Sequence, residues 1–219
     1  MNEEVKQQIS AVVLAGGRGL RMGGADKGLQ LFDGRPLIVH VLDRLQPQVA
    51  SILINANRNL DRYAEFGHPV HADLIPDFPG PLAGLQLAMS ISATDLVLSV
   101  PCDTPQLPND LAARLHAALT ATNARVAVAR TADRLHPVFC LAHRDCLDHL
   151  NSFLAAGGRR MDSWYAGLTS TQVDFSDQEH AFHNLNTSDE LLTASGQHQL
   201  TTSLPFGFAR SNAPSRHWY

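Results

Sequence analysis

The 219-residue chain predicts a three-layer α/β/α fold, a Rossmann-like domain with a mostly parallel central sheet. Three observations lead there. Short β-branched runs alternate with longer segments whose apolar residues recur every three or four positions. A glycine-rich stretch follows the first run. The composition, 44% hydrophobic and 17% charged, suits one globular domain able to bury a core without staples.

The strand-like runs are "ISAVVLA" (9–15), "SILINA" (51–56), "DLVLSV" (95–100), "RVAVAR" (125–130) and "HPVFCLA" (136–142). Their continuous apolar character matches strands covered on both faces. Between them, "PLIVHVLDRLQPQV" (36–49), "PLAGLQLAMSIS" (81–92) and "NDLAARLHAALTAT" (109–122) carry helical periodicity. Pro36 and Pro81 suit first-turn positions, and Asn109 or Asp110 suits a cap. Strands alternating with helices imply right-handed crossovers, and ligands then sit beyond the carboxyl ends of the strands. The expected organisation is a single domain over residues 1–198, in two halves near 9–105 and 106–198. The stretch 199–219 loses periodicity and reads as an irregular tail.

A net charge of −4 and a pI near 6.2 argue against nucleic-acid binding by bulk electrostatics. Cys102, Cys140 and Cys146 form no CxxC pair, which points away from a disulfide framework or a zinc site. The polar start is not a signal peptide, and no apolar run reaches the roughly 20 residues of a membrane helix. These features predict a cytoplasmic protein with no membrane and no nucleic-acid partner.

The loop "VVLAGGRGLRMGGADKGL" (12–29) invites a phosphate but fails both familiar templates. Lys27 sits between Asp26 and Gly28, outside a P-loop, and Met22 stands where the dinucleotide fingerprint needs glycine. The paired histidines His68/His71 and His180/His183 lack a third ligand at a convincing spacing. Met89 and Met161 read as helix packing, Met22 as a loop anchor, and Cys102 as a small buried neighbour of Asp103.

The same loop resembles the signature L-A-[AG]-G-x-x-x-R-M-G-x-D-K of sugar-phosphate and cofactor nucleotidyltransferases. More closely, the chain is similar to the molybdenum cofactor guanylyltransferases. "INANR", "DLIPDFPGPLAG", "PCDTP", "LHPVF", "VDFSD" and "NLNTSDEL" come after it in the same order, so the resemblance spans about residues 10–193.

The resemblance implies transfer of GMP from GTP to the terminal phosphate of molybdopterin, alone or carrying molybdenum, with pyrophosphate leaving. Such a reaction needs positioning, a cation and Mg²⁺ more than a protein nucleophile. The acceptor phosphate is already largely dianionic at neutral pH, so no general base is required. Leu14, Ala15, Gly16 and Gly17 are then expected to cradle GTP, with Lys27 and Arg21 on its phosphates and Arg18 at the surface. Asp103 matches the family's Mg²⁺ ligand, and Asn186 is a second candidate ligand. Asn55 and Asp73 match nucleotide-binding positions; Asp73 accepts from either the guanine edge or the ribose, and Asn55 alternatively closes a turn. Gly16, Gly80 and Gly84 are expected to leave room for a purine. For molybdopterin the candidates are Asn184, Asn186, His136, Arg159 and Arg160, with at most one arginine reaching it. Transient contacts with cofactor insertion or acceptor proteins are expected from the product's reactivity. The rival readings are a cytidylyltransferase or sugar-phosphate nucleotidyltransferase, and a nucleotide-binding adaptor without activity.

Overall fold

The computed structural model describes residues 2–15, 26–75, 80–132 and 134–183. Of the expected site residues, Gly16, Gly17, Arg18, Arg21, Asn184 and Asn186 lie outside this set, as do Met22 and the tail 199–219.

The main sheet is built from β1 (Ile9–Leu14), β4 (Ser51–Asn55), β5 (Val70–His71), β6 (Leu96–Pro101), β7 (Val126–Thr131), β8 (Arg134–His143) and β9 (Ser170–Asp174). Their order is β5-β4-β1-β6-β8-β7-β9, and a two-stranded ribbon, β2 (Leu31–Phe32) with β3 (Arg35–Pro36), stands apart. β1 pairs in parallel with β4 and β6, β4 with β5, and β7 with β9. β8 is the exception, antiparallel to β6 and to β7. Sequence alone groups "HPVFCLA" with the parallel strands, because a strand buried on both faces has the same apolar run in either direction. The difference lies in the connection: β7 turns straight into β8, with Ala132 at a φ of 42°.

Side-chain alternation divides the core. Ala11, Val13, Ile52, Ile54, Leu98, Ala127 and Leu141 face one way. They pack on α2 (Leu37–Leu45) and α5 (Leu111–Thr122) through Ile38, Val41, Leu45, Leu111 and Leu115. Val12, Val97, Val128 and Cys140 face the other way, toward α4 (Pro81–Ile91), α6 (Leu147–Ala155) and α7 (Met161–Tyr165). Each layer thus arises from the two-residue period of the strands meeting apolar helix stripes. Short α1 (Glu3–Lys6) precedes the sheet, and α3 (Leu60–Ala64) comes after β4.

Pro81 occupies the first turn of α4, while Pro36 ends just before α2 begins. Asp110 takes the cap position of α5, but its side chain makes no cap bond and instead accepts from Gln178 Nε2 at 3.0 Å. Met89, Met161 and Cys102 are buried. No helix among the described residues is long and apolar enough to cross a membrane.

Candidate functional site

The parallel register brings three strand ends level. Leu14 pairs with Asn55 on one side and Pro101 on the other, so β1, β4 and β6 terminate in one row. The residues leaving these strands therefore share one edge: Ala15, the stretch from Ala56, and Cys102 with Asp103. Ala15 N donates to Asn55 O at 2.8 Å and Cys102 N to Leu14 O at 3.2 Å, fixing this edge through the backbone.

Asp103 is almost fully buried there, and its Oδ2 accepts from Lys27 Nζ at 3.1 Å. Lys27 opens a 3₁₀ turn, Lys27–Leu29, with its side chain 30% exposed against 8% for Asp103. A buried carboxylate needs such a partner, because an unpaired charge would carry the full desolvation cost. Separate motifs point to these two residues, and the fold joins them. Next door, the Cys102 thiol is pushed far up, first by burial and then by the charges of Asp103 and Asp26, so it stays protonated beside the pair.

A second cluster lies at the end of β4. Asn55 Nδ2 donates to Asp73 Oδ1 at 2.9 Å, and Asn57 Nδ2 to Asp73 Oδ2 at 2.7 Å. Asp73 N returns a bond to Asn57 Oδ1 at 2.8 Å. The two expected residues meet, and Asn57, which no motif singles out, completes the cluster. The alternation of asparagines in "INANR", two residues apart and so on the same side of an extended chain, is the signal that points to it. Each carboxylate oxygen keeps a lone-pair site after these bonds, so Asp73 remains an acceptor for a further donor.

Gly84 corrects one expectation. A Cβ there would fall 2.4 Å from both Asn55 Oδ1 and Leu14 Cδ2. The space it leaves is taken by Asn55, not held open for a base. Gly80 has another reason to be glycine, a φ of 92° at the start of α4.

The expected acceptor residues are more scattered. His136 is buried, with Nε2 2.8 Å from Thr131 Oγ1 and its ring stacked 4.6 Å from Phe182. Burial, then the nearby Arg134 and His183, pushes it down to about 4, so the ring is neutral at pH 7. Arg159 donates to Leu154 O at 2.9 Å and so closes the end of α6. Its own carbonyl is 3.6 Å from where a Gly80 Cβ would be, which sets this loop against the start of α4. Arg160 is exposed and forks onto Asp162, with Nε 3.0 Å from Oδ1. The two arginines diverge, as neighbours at a helix start should.

Among the described residues no group of three or more His, Cys, Asp or Glu side chains could hold a metal by itself. Asp103 nonetheless fits a magnesium site of the kind that needs one hard carboxylate oxygen, with phosphate oxygens and waters completing the shell.

Residues 11–171 match the family model for the MobA-like NTP transferase domain. A molybdenum cofactor guanylyltransferase from Burkholderia ambifaria is 51% identical over 200 residues, covering 87% of this chain and 97% of that protein. One from Shewanella loihica is 50% identical over 183 residues, covering 84% and 93%. Among solved structures, the molybdopterin-guanine dinucleotide biosynthesis protein A of Archaeoglobus fulgidus superposes with a TM-score of 0.71 at 19% identity, over 87% of this chain and 99% of that one. A CMP:2-keto-3-deoxy-manno-octonic acid synthetase complexed with CTP gives 0.63 at 15% identity, over 90% and 99%. At such identities these two structures attest the fold alone.

Proposed function

Because the chain belongs to the MobA-like NTP transferase family, and within it to the molybdenum cofactor guanylyltransferases, we infer that it joins GMP from GTP to molybdopterin through Lys27 and Asp103. Pyrophosphate leaves, and the product is molybdopterin guanine dinucleotide. The observation that carries the residue assignment is the Lys27–Asp103 pair at the row of strand ends, where an α/β sheet binds its ligand.

Each group has a task in that chemistry. Lys27 trades Asp103 for the triphosphate and offsets the charge that builds on the leaving group. Asp103, once released, is the carboxylate that would hold Mg²⁺, which when bound supplies charge neutralisation between the phosphates. Asp73, clamped by Asn55 and Asn57, accepts from the nucleoside end. The backbone of Leu14 and Ala15 bounds the nucleotide; Gly16 and Gly17 are assigned to the same cradle, and Arg21 to the triphosphate beside Lys27. The acceptor phosphate attacks as a dianion, so no protein base takes part. Arg159, His136, Asn184 and Asn186 lie in the part of the chain assigned to the pterin. The reaction belongs in the cytoplasm, where Cys102, Cys140 and Cys146, all free and buried, remain thiols, and the product passes to insertion or acceptor proteins.

Asp103→Ala tests the assignment. It should abolish pyrophosphate release from GTP and molybdopterin while costing only about 1 kcal/mol of stability, since Lys27 retains access to water. Chelating Mg²⁺ should silence the wild type in the same way, with activity returning on readdition. An Asp103→Ala protein that still turned over would refute the metal-ligand role.

A further inference from the structure

We propose that Tyr63 is a positioning residue for Lys27, acting through Asp26, a role that rests on the phosphate-binding assignment of Lys27 above. Tyr63 lies on α3, is fully buried, and donates its hydroxyl to Asp26 Oδ1. Asn59 Nδ2 donates to the other oxygen, Asp26 Oδ2, at 3.0 Å. Asp26 is the residue immediately before the Lys27–Leu29 turn, and its carbonyl accepts from Leu29 N at 3.2 Å. The carboxylate is therefore held at both oxygens by the segment that leaves β4, and the lysine is the next residue along.

The turn is also pressed onto the tyrosine. A Cβ at buried Gly28 would stand 2.6 Å from Tyr63 Oη and 3.3 Å from Cys102 Sγ. A side chain there would separate the turn from both, so the bare glycine lets the backbone beside Lys27 sit between the phenol and the neighbour of Asp103. Burial first, and then the Asp26 carboxylate that it faces, push the phenol far up, which keeps its proton on oxygen and available to Asp26.

This arrangement gives one short segment two duties. Asn55 and Asn57 clamp Asp73, and Asn59 with Tyr63 clamps Asp26. The nucleoside-side carboxylate and the phosphate-side lysine are thus referenced to the same short stretch, residues 55–63. A long, flexible ammonium side chain reaches a defined phosphate only if its backbone root is fixed, and the root here is a single short turn that begins beside Asp26. Asn59 itself adopts a φ of 52°, a conformation Asn tolerates and that turns its amide toward Asp26.

The test is the equilibrium affinity for GTP with Mg²⁺ across a double-mutant cycle, which needs no molybdopterin. Tyr63→Phe keeps the buried ring and removes only the hydroxyl. It should weaken GTP binding about five- to tenfold, only a part of what a hydrogen bond to a charged group contributes, because the bond acts on the nucleotide through Lys27. In a Lys27→Ala background the same change should do almost nothing further. Asn59→Gly accepts the backbone conformation and removes the second bond, and should give a smaller loss that also vanishes without the lysine. Wild-type affinity in Tyr63→Phe would overturn the proposal, and so would an equal loss in both backgrounds, which marks a merely structural tyrosine. The Lys27→Ala protein alone reads the underlying assignment: unchanged GTP affinity there would remove Lys27 from the phosphates, whatever Tyr63 does.

Discussion

Gly84 lacks a side chain because Asn55 and Leu14 occupy the place one would take. Adding a methyl forces Asn55 away from Asp73, since overpacking a filled site moves its neighbours. Gly84→Ala should therefore weaken GTP binding by about tenfold while costing about 1–3 kcal/mol of stability, read by nucleotide titration and by denaturant unfolding. If the glycine only made room for a purine, Ala would be felt by GTP but would leave the apo protein as stable as before. At this scale the sequence is informative where chemistry is carried by a charged residue in a recognisable motif. Lys27 and Asp103 are singled out that way, by the family motifs "LAGGRGLRMGGADKGL" and "PCDTP" in which they stand. Tyr63 does not, because a lone tyrosine outside any motif reads as packing, and only the fold shows its hydroxyl on Asp26.

β8 shows how an element escapes a reading based on periodicity. Its register against β7 passes from Val128 opposite Cys140 to Ala129 opposite His136, an irregularity that spans Pro137. Proline has no N–H for the ladder, so the strand bulges there. The bulge sets His136 against Thr131, Phe139 and Phe182. The groups facing the ring are Arg134 and His183, which oppose its protonation, and Glu179, which favours it more weakly than burial opposes it. These groups fix the sign of the pH effect. Unfolded His136 takes up a proton near 6.5 and folded His136 only near 4, so between those values the unfolded state binds more protons. Stability should fall by about 2 kcal/mol from pH 7 to pH 5, and His136→Phe, which keeps a ring on Phe182, should lose less over the same interval. Equal slopes in the two proteins would mean that His136 is not the buried neutral group described here.

At the scale of the whole molecule, the parallel sheet explains why so much of the proposed nucleotide site is legible in the sequence. β1, β4 and β6 end in one row, so motifs far apart in the chain converge whenever each comes directly after a strand. The second half yields less to such reasoning. A hairpin strand, an exposed β9 and short helices place residues by local turns and caps, and Arg159 and Arg160 diverge for that reason. Net charge of −4 adds a further constraint: a polyanionic substrate must be met by a local cluster and not by the molecule's overall field.

The central claim, guanylyl transfer at the Lys27–Asp103 edge, is tested most directly by a nucleotide-resolved transfer assay. The purified protein would be incubated with Mg²⁺, molybdopterin and GTP, CTP, ATP or UTP separately, tracking pyrophosphate and the dinucleotide product. The account predicts stoichiometric pyrophosphate and molybdopterin guanine dinucleotide with GTP, and neither with the other three. Pyrophosphate release with CTP but not with GTP would contradict it.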